Sequence, residues 1–262
     1  MTAAADIRAC DILFDCWMNG RHIEALPEEL RPRDRRQGHA IQAQLEKRDP
    51  GGLAGWKIAA TSAAGQAHIG VSGPIAGRIF RSRLVPDGGT VALAGNLMRV
   101  AEVEFAFRMA HDLPPREQDY TLAEVLDAVE SLHPAIELPD SRFADFATAG
   151  EAQLIADNAC AHYFCIGAAT GADWRNEDLA ALKVEGRIAE RDVVVEGAGA
   201  FVLGDPREAL LWLANELRSL GITLAAGQFV STGTAIVPAA IERGDRFVAD
   251  LGPHGSVCLQ MS

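Results

Sequence analysis

The order of local patterns along the chain constrains its fold more than any single motif. Helix-like stretches lie early and in the middle, strand-like stretches cluster centrally and late, and no strict strand-helix-strand alternation appears. A doubly wound parallel sheet requires that alternation. The pattern therefore predicts an α+β fold on a curled mixed sheet, barrel- or roll-like, with helices at the N-terminus and the periphery. With 262 residues and 48% hydrophobic content, the chain is able to bury a substantial core. We read 1–262 as one catalytic domain, with 1–52 a mainly helical region packed on it.

Local signals place the elements. Residues 11–17 and 37–48 read as helical, the second with Ile41 and Leu45 one turn apart and a stop at Asp49-Pro50-Gly51-Gly52. A strand is expected in "LAGWKIAAT" (53–61). The stretches "GVSGPIAG" (70–77) and "VPDGG" (85–89) read as turns, the latter entering a short strand at 90–93. Thr121 and Glu124 form a capping-box signature ahead of Leu122, Val125, Leu126, Val129 and Leu132, which predicts a helix ending near His133-Pro134. The run "PAIELPD" then reads as a buried strand around Glu137. Asp205 as N-cap, Pro206 in the first turn and Gly221 as a stop frame a further helix. Two strands around a turn are expected in 182–203, and several short strands after residue 226.

Composition excludes some functions. A net charge of −12 argues against a nucleic-acid partner, which requires clustered cations. Arg31, Arg33, Arg35 and Arg36 do cluster, but Pro32 and Asp34 interrupt them, which suits a solvated turn or subunit contact. No apolar run reaches membrane-span length, and acids stand where a secretory leader needs basic residues, so a cytoplasmic protein with no membrane partner is expected. Five cysteines, odd in number and set beside apolar residues, suit reduced core thiols. The seven histidines show no close zinc spacing. The glycines of "GAGAFVLG" lack dinucleotide-fingerprint spacing and read as a tight turn. Ser72 lacks the full nucleophile-elbow pattern and any placeable partner.

The chemistry concentrates in "RVAEVEFAFRMAHDL" (99–113). Residues i and i+2 of a strand share a face, so Glu102 and Glu104 emerge together while Val103, Phe105 and Phe107 face the other way. Either that face is solvated, or something positive separates two carboxylates that would otherwise repel. A hard divalent metal is one natural candidate.

Taken together, "GWKIAATS" (55–62), "AEVEFAF" (101–107), "PAIELPDSR" (134–142), "IADNA" (155–159), "GAGAFVLG" (197–204) and "STG" (231–233) resemble the hydratase and decarboxylase branch of the fumarylacetoacetate hydrolase superfamily, over nearly the whole chain and in the family's order. The resemblance implies a fumarylacetoacetate hydrolase-like fold and a divalent ion, Mg2+ or Mn2+, held by Glu102, Glu104 and Glu137. It implies a lyase that hydrates a 2-hydroxydienoate or related 2-oxo acid in aromatic-compound catabolism. A 4-oxalocrotonate-type decarboxylase and a noncatalytic partner subunit of such an enzyme are the alternatives. Lys57 matches the family's strand lysine and is expected to orient substrate or move a proton, with burial beside a cation lowering its pKa. Thr232 and Gly233 match a turn that helps hold the substrate carboxylate. Asp157 and Asn158 match a segment flanking the pocket, with Asn158 as a substrate contact and Asp157 alternatively a cap. A homo-oligomer, and a complex between hydratase and decarboxylase chains, are implied as well. The sequence departs from the pattern at Ile75, where many hydratases carry an acid, and at Ala59 and Cys160, which points to a drier pocket with altered specificity.

Overall fold

The computed structural model describes residues 2–262. The chain opens with α1 (Ala3–Asn19) and α2 (Arg35–Gln42), each capped at its N-terminus by a side chain, Thr2 and Asp34. It continues through β1 (Leu53–Ala59), α3 (Ala63–Ile69), β2 (Ile75–Phe80), β3 (Thr90–Val91), β4 (Val100–Met109), α4 (Leu122–Asp127), β5 (Val129–Leu138), α5 (Glu151–Ala156) and β6 (Tyr163–Ile166). The last elements are β7 (Lys183–Ile188), β8 (Val193–Ala198), α6 (Pro206–Ser219), β9 (Phe229–Thr234), β10 (Ala239–Ala240), β11 (Arg246–Asp250) and β12 (Ser256–Met261).

Two sheets carry the fold. One runs β2-β1-β9-β4-β5-β6, with β10 also paired to β4; the other runs β3-β12-β11-β7-β8. Among the named strand pairs of the described residues, β1–β9 and β12–β3 are parallel and the others antiparallel, so the sheets are mixed and the predicted α+β class holds. Alternation along each strand explains why they stack. Trp56 and Ile58 of β1, Val103, Phe105 and Phe107 of β4, and Ile136 and Leu138 of β5 are fully buried in one core with Val184, Phe247 and Leu259 of the second sheet. The opposite face of the first sheet carries Lys57, Glu102, Glu104 and Glu137.

The N-terminal region forms a smaller core. Leu13, Trp17, Leu26, Leu30 and Ile41 pack with Phe80 and Phe143, which ties residues before β1 to the sheet. Arg35 bridges Glu151 of α5 at 2.8 Å and Glu216 of α6 at 3.2 Å, so one member of the arginine cluster is a tether between helices. Among the described residues, no helix is long and apolar enough to cross a membrane.

Two expectations are corrected. The Thr121 capping box is present, but α4 ends at Asp127, and Val129 and Leu132 belong to β5. Val129 pairs with Met109 and Leu132 with Phe107, so cross-strand pairing overrides a locally helical spacing. The stretch expected as a turn at 70–77 contains the start of β2, which pairs antiparallel with β1 from Ala59↔Ile75 onward.

Candidate metal centre and active site

Strand register brings three acids together. Glu102 of β4 lies directly opposite Glu137 of β5, and Glu104 is one same-face step along β4. Like charges directly opposed across strands destabilise a sheet. Here a carboxylate oxygen of each lies within 4.8 Å of the others. Glu104 and Glu137 are wholly buried, and Glu102 is partly exposed.

A bulge orients Glu104. Opposite β4, Ser231 pairs with Ala106 and Thr234 with Glu104, so β9 carries one extra residue between these points. Gly233 takes up the bulge with φ +97°, a left-handed conformation costly for other residues. As a result the Gly233 N–H donates to Glu104 Oε2 at 3.1 Å, and the Ser231 hydroxyl donates to the same oxygen. Glu104 Oε1 and Glu137 Oε2 have no hydrogen-bond partner. Burial, reinforced by the Glu104 charge, pushes Glu102 up to about 8. Burial also raises Glu104 and, more strongly, Glu137. Three carboxylates disfavoured as anions, with buried oxygens aimed inward, fit a hard divalent cation that accepts oxygen ligands and retains open positions.

Lys57 completes the cluster. Its Nζ lies 2.9 Å from Glu137 Oε1 and donates to the Ala159 carbonyl at 2.8 Å. β1 and β5 are three strands apart in the sheet order, about 14 Å in a flat sheet. Direct contact between their side chains therefore requires the sheet to curl around the site. Burial pulls the Lys57 ammonium down, but the Glu137, Glu102 and Glu104 charges outweigh it, and the net direction is up.

The segment over Lys57 is a left-handed arch. Asn158, Ala159 and Cys160 have φ of 56°, 52° and 59°, a costly run for residues with side chains. Asn158 clamps it: its Oδ1 accepts from Arg78 N at 2.6 Å and its Nδ2 donates to Arg78 O at 2.9 Å. The structure thus commits the Asn158 amide to β2, so its observed role is to hold the arch. Asp157 forms a buried ion pair with Arg142 and accepts from Ser141 at 2.8 Å. Gly77 stands opposite Lys57, and a Cβ there would come within 2.4 Å of the Asn158 carbonyl. Thr232 Oγ1 donates to Phe105 O at 3.1 Å, which stiffens the bulge. Sequence reasoning missed Ser231, the Ala159 carbonyl and Gly77 as parts of the site. The first lay inside the quoted "STG", and the other two needed the register and the arch.

Other sequence features fall elsewhere. Ser72 Oγ donates to Glu151 at 2.8 Å. Gly197 and Gly199 close on backbone, where a Cβ would lie 1.9 Å from the carbonyls of Ala235 and Leu179, which leaves no phosphate cradle. All five cysteines are buried and free.

No family model matches the chain. It is 32% identical over 255 residues to 2-keto-4-pentenoate hydratase 1 of Dechloromonas aromatica, covering 95% of this chain and 94% of that protein. The chain belongs to the hydratase and decarboxylase branch of the fumarylacetoacetate hydrolase superfamily. Within this branch it is 32% identical over 207 residues to 4-oxalocrotonate decarboxylase of Pseudomonas putida, covering 78% of this chain and 76% of that one. Its fold matches the 4-oxalocrotonate decarboxylase from Pseudomonas putida G7, complexed with magnesium and adipate, at TM-score 0.90 and 26% identity over 100% of this chain and 99% of the other.

Proposed function

We propose that the protein is a divalent-metal-dependent lyase that hydrates a 2-hydroxy-2,4-dienoate, a reaction of the 2-oxopent-4-enoate hydratase type, in aromatic-compound breakdown. The convergence of Glu102, Glu104 and Glu137 within 4.8 Å carries the reading. Those three residues are the proposed ligands of Mg2+ or Mn2+, hard ions that keep positions open for other oxygens. Such an ion supplies Lewis-acid stabilisation of negative charge developing on the 2-oxo oxygen of a bound substrate.

The chain's own residues supply the rest. Lys57 is fixed at the acid cluster by Glu137 at 2.9 Å and the Ala159 carbonyl at 2.8 Å, where it is placed to orient substrate or move a proton. Ser231 and Gly233 turn one oxygen of Glu104 away from the centre and leave the other free. Thr232 and Gly233 form the bulge that borders the substrate carboxylate; the Thr232 hydroxyl proton is given to Phe105 O and the Gly233 N–H to Glu104 Oε2, so their part is to shape the bulge rather than to donate to the substrate. In the net reaction the dienol takes a proton at C5 to become a conjugated 2-oxo-3-enoate. Water then adds hydroxyl at C4 and a proton at C3. A homo-oligomer belongs to the same reading, and light scattering at micromolar concentration tests it.

A second reading is decarboxylation of a 4-oxalocrotonate-like diacid, favoured by the close structural match to the decarboxylase. Freshly generated 2-hydroxypenta-2,4-dienoate and 4-oxalocrotonate separate the two, with magnesium, manganese or EDTA. Metal-dependent formation of 4-hydroxy-2-oxopentanoate is expected. Carbon dioxide from the diacid without hydration of the dienoate would transfer the assignment to decarboxylation. Silence on both until a second chain is added would assign a noncatalytic partner subunit.

A further inference from the structure

An apolar wall begins where the acid cluster ends. In the antiparallel pairing of β1 with β2, Lys57 faces Gly77 and Ala59 faces Ile75. Opposed residues project to the same side of a sheet, so Ile75 stands on the Lys57 face, one same-face step along. It is fully buried and clusters with Val71, Leu154, Ile155, Ala159 and Cys160. This cluster is continuous with the site. The Ala159 carbonyl accepts from Lys57, and a Cβ on Gly77 would touch both Lys57 and Ala159. Ala59, Ala60 and Met98 pack on the cluster and are only partly buried, as Glu102 is, so these residues form the solvent-facing edge shared by the wall and the acid cluster.

No side chain of this cluster is charged. The basic groups that border Ile75 are engaged: Lys57 with Glu137 at 2.9 Å, and Arg35, which donates to the Pro74 carbonyl, with Glu151 at 2.8 Å and Glu216 at 3.2 Å. A second carboxylate on a substrate tail would lose its hydration here without gaining a partner. An alkyl group would gain burial. Resting on the proposed function for the head of the substrate, we infer that this wall receives the carbon tail beyond C5 and selects a 2-hydroxydienoate with an uncharged alkyl tail over a tail carboxylate, with Ile75 as the specificity-determining residue.

The test uses two saturated six-carbon 2-oxo acids that undergo no hydration, 2-oxohexanoate and 2-oxohexanedioate, titrated calorimetrically into the full chain with magnesium. The monoacid is expected to bind at least about tenfold more tightly, the scale of one apolar contact in a fitted pocket. Ile75→Asn and Ile75→Ala are each expected to narrow that ratio severalfold. Where Ile75→Asn does not fold, Ile75→Val serves as the second variant. Equal or tighter binding of the diacid, a ratio unmoved by folded Ile75 variants, or failure of both acids to bind would overturn the inference. Hydration of 2-hydroxypenta-2,4-dienoate is measured in parallel. No hydration with the monoacid preference intact would defeat the proposed reaction and keep the wall; hydration without the preference would defeat the wall alone.

Discussion

Gly233 shows how much of the site depends on one residue without a side chain. Its φ of +97° shapes the bulge that aims two donors at Glu104, and a Cβ there would come within 2.5 Å of Thr61 Oγ1 and 2.9 Å of the Ile58 carbonyl. Gly233→Ala is expected to cost about 2 kcal/mol of stability from strain and displaced backbone, read by urea denaturation, with loss of hydration. Wild-type stability in the variant would show that the bulge tolerates a side chain. At this scale the sequence was informative about chemistry and silent about conformation. The two-residue spacing of Glu102 and Glu104 announced a shared face, and the resemblance supplied Glu137 and Lys57. The direction of the Lys57 shift depends on all three acids at once, and the commitment of Asn158 to Arg78 depends on an arch that only tertiary contacts hold.

Among the elements, α1 docks through a contact that makes folding sensitive to pH. Trp17 Nε1 donates to His162 Nδ1 at 2.6 Å. Burial, with the Arg83 and Arg142 guanidiniums nearby, pushes the His162 imidazole down to about 2. A histidine kept neutral in the folded state contributes fully above its unfolded pKa of about 6.5; below that pH the unfolded chain takes up the proton and stability falls. The expected loss on acidification from pH 6.5 is at most about 1.4 kcal/mol per pH unit. His162→Gln, which keeps an acceptor for Trp17, should flatten the slope relative to wild type; identical slopes would assign the acid sensitivity to other groups. Element type was legible where both ends were signalled, as in α6 between Asp205 and Gly221. It failed at residues 129–132, where an apolar spacing that suits a helix is claimed by pairing with β4, and at β2, where Gly73-Pro74 masked a strand.

For the whole molecule, the mixed α+β character followed from the order of patterns, but the curl did not. It is inferred from Lys57 reaching Glu137 across two intervening strands. The helical N-terminal region shares its core with Phe80 and Phe143, so residues 1–52 are expected to unfold together with the sheets in a single calorimetric transition. Two separated transitions would divide the chain. Magnesium at a hundredfold excess over its Kd should raise stability by about 2.7 kcal/mol if the acids hold it in the folded state alone. The central claim is that the three acids make a metal site on which hydration depends. Its most direct test is to strip the protein with EDTA and titrate Mn2+ back, following bound ion by electron paramagnetic resonance and hydration of 2-hydroxypenta-2,4-dienoate in the same samples. Activity should rise in step with one bound ion per chain, and both should be lost in Glu104→Gln and Glu137→Gln. Full hydration by the stripped protein, or undiminished activity in either variant, would contradict it.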